Sequence, residues 1–352
     1  MNRLDSRFRG NDNLGLLQLA QLSIIMPCID ILILYTFTSV NEITIAKVQY
    51  SYIYVSNEEP PMTEIEGQKA ESWTHLMELL YADSWVPGLN RYRSPFAFRG
   101  VADASWSLET SLIRLGGPID LLERHLLRNF RKYAYSHVKE RDSLWFWLTF
   151  AQHHGLPTRL LDWTYSPYVA LHFATDNLRH YDRDGVVWMT DFVELHKFLP
   201  SILSGALDLE GSNVFTTEML TRFEKPEIEM SLSVLVASVK KKFGGTKTIR
   251  TLQDFDRLHE NDFLLFFEPP SIDDRVVNQF ALFSVLSNPK LIVDQWLASH
   301  KEHVRRIIIP KELKPEVRDK LDQANITERV LFPGLDGLSR WLRRHYSTYP
   351  NA

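Results

Sequence analysis

Two dense runs of reactive side chains stand out in this 352-residue chain. The first is Phe98-Arg99-Gly100, followed by Trp106-Ser107-Leu108-Glu109-Thr110-Ser111-Leu112-Ile113-Arg114. The second opens at Gln152-His153-His154-Gly155-Leu156-Pro157-Thr158-Arg159. It continues through Asp162-Trp163-Thr164 and Ser166-Pro167 to Ala170, His172, Phe173 and Ala174. Arginines, histidines, an acid and aromatics on a strand-like framework suit a polyanionic or aromatic ligand, because a guanidinium fork takes phosphate oxygens bidentately and stacks on ring faces. Arg99 is the sharpest candidate: it follows an aromatic and precedes Gly100, which ends the strand or lets backbone come close to a ligand. The competing reading is an arginine ion-paired to a neighbouring acid, and the spacing leaves both open.

His153 and His154 diverge by about 100° on a helix, so one packs and the other is available to a site; His154 is the candidate catalytic histidine. Asp162 sits between Leu161 and Trp163, where a carboxylate must be paired or its pKa rises. Arg159 lies on the other strand face from Asp162, so Arg99 or Arg114 is the expected partner. A buried ion pair joining the two runs and a general base are both compatible with this acid. The chain has no H-E-x-x-H, and its single cysteine, Cys28, supports neither an intrachain disulfide nor a cysteine zinc site, so no metal is expected. Gly244-Gly245-Thr246-Lys247 lacks phosphate-loop spacing and reads as a loop. Neither G-x-S-x-G nor a helix-opening G-x-G-x-x-G occurs.

The elements that must position these residues follow from apolar spacing. Ser72 caps a helix carrying Trp73, Leu76, Leu79 and Leu80. Phe96 to Gly100 alternates like a half-buried strand. Residues 118–150 read as helical, with a second helix over Leu144 to His153 that Gly155-Leu156-Pro157 breaks. A strand over Thr158–Thr164 precedes a helix with Ser166 as N-cap and Pro167 in its first turn. Further strands are expected at 185–190, 262–267 and 307–309, a short turn and strand within 275–285, a helix at 315–324 and a basic terminal helix. Strands and helices mixed without regular alternation point to an α+β fold. With 44% hydrophobic residues and a net charge of −4, nothing in the whole chain drives it toward nucleic acid or an anionic membrane.

Residues 1–61 differ from the rest. Their apolar stretch from Leu14 to Phe37 is interrupted by Gln18, Gln21, Pro27 and Asp30, and Asp30 would cost about 2.5–3.5 kcal/mol in a bilayer. A membrane or signal segment is the alternative to the preferred reading. Leu4 to Asp12 looks like a translated bacterial intergenic repeat, so 1–61 is expected to be a spurious or unstructured extension with the start at Met62. That leaves a single domain over 62–352, no membrane association and a cytoplasmic location.

Phe98-Arg99-Gly100, the Gln152–Ala174 run, Arg275-x-x-x-Gln279-x-x-x-Phe283 and Leu331-Phe332-Pro333-Gly334-Leu335-Asp336-Gly337 together resemble the FRG-domain family over roughly residues 70–345. Val101 replaces a frequent glutamine, and Phe280 a frequent glycine. The motif order is similar to that of the ADP-ribosyltransferase fold, which implies a mixed or antiparallel split sheet with flanking helices. The resemblance implies NAD as substrate, with Arg99 on its phosphates and the Thr164 hydroxyl orienting the residue at the position of Gln279. Gln279 is neutral where a carboxylate would stabilise an oxocarbenium-like cation better; Glu268 is a possible source of charge. The candidate catalytic set is therefore Arg99, His154, Thr164 and Gln279, and the ligand-binding set Arg99, Gly100, Arg159, Asp162 and Trp163. A nucleotide-like small molecule and a protein or nucleic-acid target of modification are the expected partners of such a bacterial toxin or antiphage effector. An inert ligand-sensing or interaction domain on the same fold, and an RNA-acting toxin with a histidine base, are the alternatives.

Overall fold

The computed structural model describes residues 65–138, 143–224 and 248–349. The readings of 1–61, of a start at Met62 and of the 244–247 loop lie outside the described residues. Within them the fold is α+β.

Eight strands form one mixed, largely antiparallel sheet. They are β1 (Gly67–Lys69), β4 (Phe96–Val101), β5 (Leu160–Thr164), β6 (Gly185–Asp191), β7 (Phe215–Thr216), β8 (Leu264–Glu268), β9 (Ala281–Leu286) and β10 (Val304–Ile309). β2 (Trp85–Val86) and β3 (Arg91–Tyr92) make a separate two-stranded sheet. The large sheet runs β1-β10-β6-β4-β5-β9-β8-β7. Only the edge pairs β1/β10 and β7/β8 are parallel.

The centre of the sheet is split. β4 pairs with β6 along its whole length, and β5 with β9 along its whole length. Between β4 and β5 the register holds at one pair alone, Phe98 with Thr164. Beyond that pair the strands part, and Arg99 to Val101 stand apart from Leu160 to Trp163.

Period-two alternation sends neighbouring side chains to opposite faces. Leu160, Leu265, Phe267, Phe283 and Val285 join Trp145 and Phe255 in one core. Leu161, Trp163, Leu264, Phe266 and Leu282 join Trp188 and Trp296 in another. A third core packs Phe96, Phe98, Val187 and Ile307 against Leu76, Ala170, Leu171 and Val317.

The helix starts follow their caps. Ser72 accepts from the His75 N–H at the head of Trp73–Tyr81, Ser143 from Phe146 at Leu144–His153, and Ser166 from Val169 at Pro167–Thr175. Within the helical region expected over 118–150 lies Ile119–Ala134, and the second helix expected over Leu144 to His153 has those bounds. The segment before β9 is a helix, Asp274–Asn278, where the sequence predicts a turn. Its N-cap Asp273 accepts from both Arg275 and Val276, which is enough to start a helix of this length.

Candidate functional site

The split opens into a cavity of about 910 Å³ lined by both sequence runs and by the Arg275–Gln279 segment. That size suits a cofactor-sized molecule. Arg99, Gly100, Asp162, Trp163, Thr164 and Gln279 all border it, and Arg159 and His154 do not.

Arg99 bridges the gap. Its Nη1 donates to the Asp162 backbone carbonyl at 2.5 Å, tying the first run to the second. The ion pair expected between Arg99 and the Asp162 carboxylate is absent. That carboxylate is exposed to the cavity and accepts from Gln152 Nε2 at 3.0 Å, while Gln152 Oε1 takes the Thr158 hydroxyl at 2.6 Å. Arg99 Nε is buried with no partner. Burial, and secondarily Arg114, lower the Arg99 pKa against the opposing pull of Asp162. Arg114 and Arg275 also line the cavity. Arg114 Nη1 donates to the Glu109 carbonyl at 2.5 Å, and the Arg275 guanidinium lies 5.0 Å over the Phe332 ring. Among the described residues none of these three arginines forms an ion pair.

Ser111 fastens the runs a second time. Its hydroxyl accepts from Thr158 N at 3.1 Å, and Leu112 N donates to the Thr158 carbonyl at 3.1 Å.

Gly100 also serves the fold. A Cβ there would lie 1.7 Å from the Ala170 carbonyl oxygen and 2.9 Å from Ala174 N. The missing side chain lets helix Pro167–Thr175 press directly on β4, and the Ala170 and Ala174 spacing supplies the small residues on the facing side.

Thr164 is buried, and its hydroxyl is already engaged: it donates to the Gln279 carbonyl at 2.7 Å and accepts from Ser166 N at 3.0 Å. Gln279 Nε2 donates to the Leu331 carbonyl at 2.9 Å. Asn278 Nδ2 donates to the Val330 carbonyl at 2.8 Å, so the C-terminal motif is stitched to the end of helix Asp274–Asn278. Gly334 has φ +105, and a Cβ on Gly337 would sit 1.8 Å from the Phe332 carbonyl oxygen. Those two glycines account for the tight Leu331–Gly337 corner. Phe280 follows Gln279 at φ +49, a left-handed backbone that glycine enters without strain. The phenylalanine at this position is exposed and meets Tyr165 edge-on at 5.1 Å.

Four sequence assignments change. Arg159 is buried away from the cavity, where Glu123 takes its Nε at 2.7 Å and its Nη2 at 2.5 Å, and Asp256 takes Nη1. Burial alone would lower its pKa, but the two carboxylates raise it. It is a structural ion cluster, because a cation enclosed by two acids has no free donor face for phosphate. His153, not His154, reaches the cavity, and its Nε2 lies 2.6 Å from Asp273 Oδ2. His154 is the exposed C-cap of its helix and packs against Phe150 at 4.5 Å; burial and then His153 lower its pKa. Trp163 borders the cavity, but its ring is buried against Phe266 and its indole N–H donates to Ser284 Oγ at 2.8 Å. Glu268 does not border the cavity and accepts from Tyr165 OH at 2.9 Å.

The sequence reading missed Asp176, which lines the cavity with Asn177, His180 and Phe173. Its pKa is raised to about 6 by burial and then by Glu328. A signal was present: an acid at the C-terminus of a helix faces the negative end of the macrodipole and is out of place there. The wall behind is held by Lys314, whose Nζ donates to the Ala102 and His180 carbonyls, each at 2.7 Å.

Among the described residues no group of three or more His, Cys, Asp or Glu could hold a metal ion. Nor is any helix there long and apolar enough to cross a membrane. Residues 94–183 match the family model of the FRG domain. No curated protein and no solved structure matches the chain.

Proposed function

On the premise that this chain carries an FRG domain, we propose that the cavity at the sheet split binds a phosphate-bearing nucleotide of the NAD class, as an ADP-ribosyltransferase-like site would. The observation that carries this reading is Arg99: a half-buried guanidinium without an ion pair, its Nε buried and unpartnered, at the edge of a cavity that two further arginines line. Burial disfavours this cation and the Asp162 carboxylate offsets that only in part, so a phosphate in the cavity would relieve the remaining cost. Gln152, held by Thr158 and Asp162, and Thr164, held by Gln279, give the site a fixed polar floor that need not reorganise when ligand arrives.

A second reading, a ligand sensor without turnover, is favoured by Gln279 and Thr164. The Gln279 Nε2 is committed to the Leu331 carbonyl and the Thr164 hydroxyl to the Gln279 backbone, so this hydroxyl does not orient the Gln279 side chain. The test is calorimetry of the full chain with NAD, followed by a nicotinamide-release assay. A charged hydrogen bond is worth about 1.5–3 kcal/mol, so Arg99→Ala should weaken binding by about 10- to 150-fold. Release of nicotinamide selects transfer chemistry, and tight binding without release selects the sensor. No binding at millimolar NAD removes both.

A further inference from the structure

Resting on the anion-binding reading above, we propose that Asp176 is a second ligand-binding group of the cavity, accepting hydrogen bonds from the hydroxyl-bearing sugar of a phosphate ester whose phosphates the arginines hold. Its position is fixed by the fold. Asp176 directly follows helix Pro167–Thr175, whose last turn is pressed on β4 where a Gly100 Cβ would come within 2.9 Å of Ala174 N. A Cβ on Gly185 would meet the Ala174 carbonyl oxygen at 3.1 Å, so β6 holds the same turn. The carboxylate is thereby set beside the strand that carries Arg99, facing the same cavity.

No side chain among the described residues donates to it. The charged groups around it come from three other helices. Arg318 is occupied by His172 Nδ1 at 2.8 Å, Asp322 at 3.2 Å and the Ile326 carbonyl. Arg340 donates to the Asp336 carbonyl at 3.4 Å and lies 4.1 Å over Phe332. Glu328 is paired with Arg344 at 2.6 and 2.8 Å and adds repulsion to Asp176. Asp176 is therefore a half-buried carboxylate on the cavity wall with a backbone hydrogen bond and no side-chain donor. With no side chain donating to it, a hydroxyl donor brought by a ligand is the natural complement of this cavity-lining carboxylate. An acid repels phosphate, so Asp176 must meet a neutral, donor-rich part of the molecule. A sugar diol beside a phosphate has that chemistry.

Two probes separate the roles: ADP-ribose, which carries diols and phosphates, and inorganic pyrophosphate, which carries phosphates alone. Both are titrated calorimetrically into the full chain, wild type and Asp176→Asn, with thermal melting to show that the variant is folded. Asp176→Asn should weaken ADP-ribose by about 10-fold or more at pH 8 and leave pyrophosphate unchanged or tighter. At pH 5.5, titration in two buffers of different ionisation enthalpy should show proton release with ADP-ribose in wild type and none in the variant. Undiminished ADP-ribose affinity in Asp176→Asn, with Arg99→Ala still impaired, overturns this inference alone. Pyrophosphate bound without ADP-ribose also overturns it and leaves the anion site standing. Binding of neither probe by wild type overturns the underlying reading as well.

Discussion

Replacing Asp176 by asparagine keeps the side chain's shape and removes its charge. In the folded chain the carboxyl titrates at about 6, against an ordinary value of 3.8. Each pKa unit is worth about 1.36 kcal/mol, so ionising Asp176 costs the native state up to about 3 kcal/mol. The sign follows from proton binding. Well below pH 3.8 both states are protonated and no penalty exists. Between 3.8 and 6 the unfolded state ionises first, and stability is lost as pH rises. Above 6 the loss is complete. Asparagine cannot ionise, so Asp176→Asn should be more stable than wild type by roughly 1.6 kcal/mol at pH 5 and about 3 kcal/mol at pH 7. Solvent reaching the carboxylate from the cavity scales both gains down together. Urea unfolding of the two proteins at pH 5, 6, 7 and 8 measures the difference directly. A variant that is less stable at pH 7, or a gain that does not grow from pH 5 to 7, would refute the argument that burial and Glu328 disfavour this carboxylate's charge.

Gly100→Ala should destabilise the fold by about 3 kcal/mol or more, because its Cβ falls on the Ala170 carbonyl and helix Pro167–Thr175 must lift from β4; thermal melting reads this. Arg159→Met leaves Glu123 buried without its cation and should cost about 3–5 kcal/mol, yet ADP-ribose affinity of the folded fraction should be unchanged, since Arg159 does not line the cavity. In Gln279→Glu a carboxylate faces the Leu331 carbonyl where an amide donated, at a cost of about 1–3 kcal/mol at pH 7. Once protonated, the introduced carboxyl can donate in the amide's place, so urea midpoints of this variant should recover toward wild type on acidification. His172 and His196 are buried neutral, with burial holding their pKa values down at about 3 and about 4. Their contribution is present above pH 6.5 and is lost as pH falls through 6.5, so the wild-type urea midpoint should drop between pH 7 and 4.5, outweighing the opposite slope of Asp176.

Local chemistry was legible in the chain. Ser72 and Ser166 sit at the helix starts they cap, because a hydroxyl with a short side chain satisfies the free N–H groups of a first turn in any tertiary setting. The alternation at Phe96–Gly100 and the apolar run at 262–267 gave strands for the same local reason. The meeting of the two runs was also foreseeable, since Arg99 and Asp162 each brought polar groups that apolar surroundings could not satisfy alone.

Partner choice was not legible. Asp162 meets Arg99 through its carbonyl and leaves its carboxylate to Gln152, because β4 and β5 part after Phe98 and Thr164. Arg159 finds Glu123 and Asp256, 36 and 97 residues away along the chain. His153 rather than His154 faces the cavity because of the phase of one helix against Asp273. Gly100 suggested close backbone approach in the sequence; that helix Pro167–Thr175 is the element that approaches it depends on packing. By itself, then, the sequence determined where elements begin, their type and which side chains needed partners, since those rest on short-range sterics and hydrogen bonding. The tertiary structure decided which polar groups were satisfied within the protein and which were left facing the cavity, Arg99 and Asp176 foremost, because that depends on distances between segments far apart in the chain.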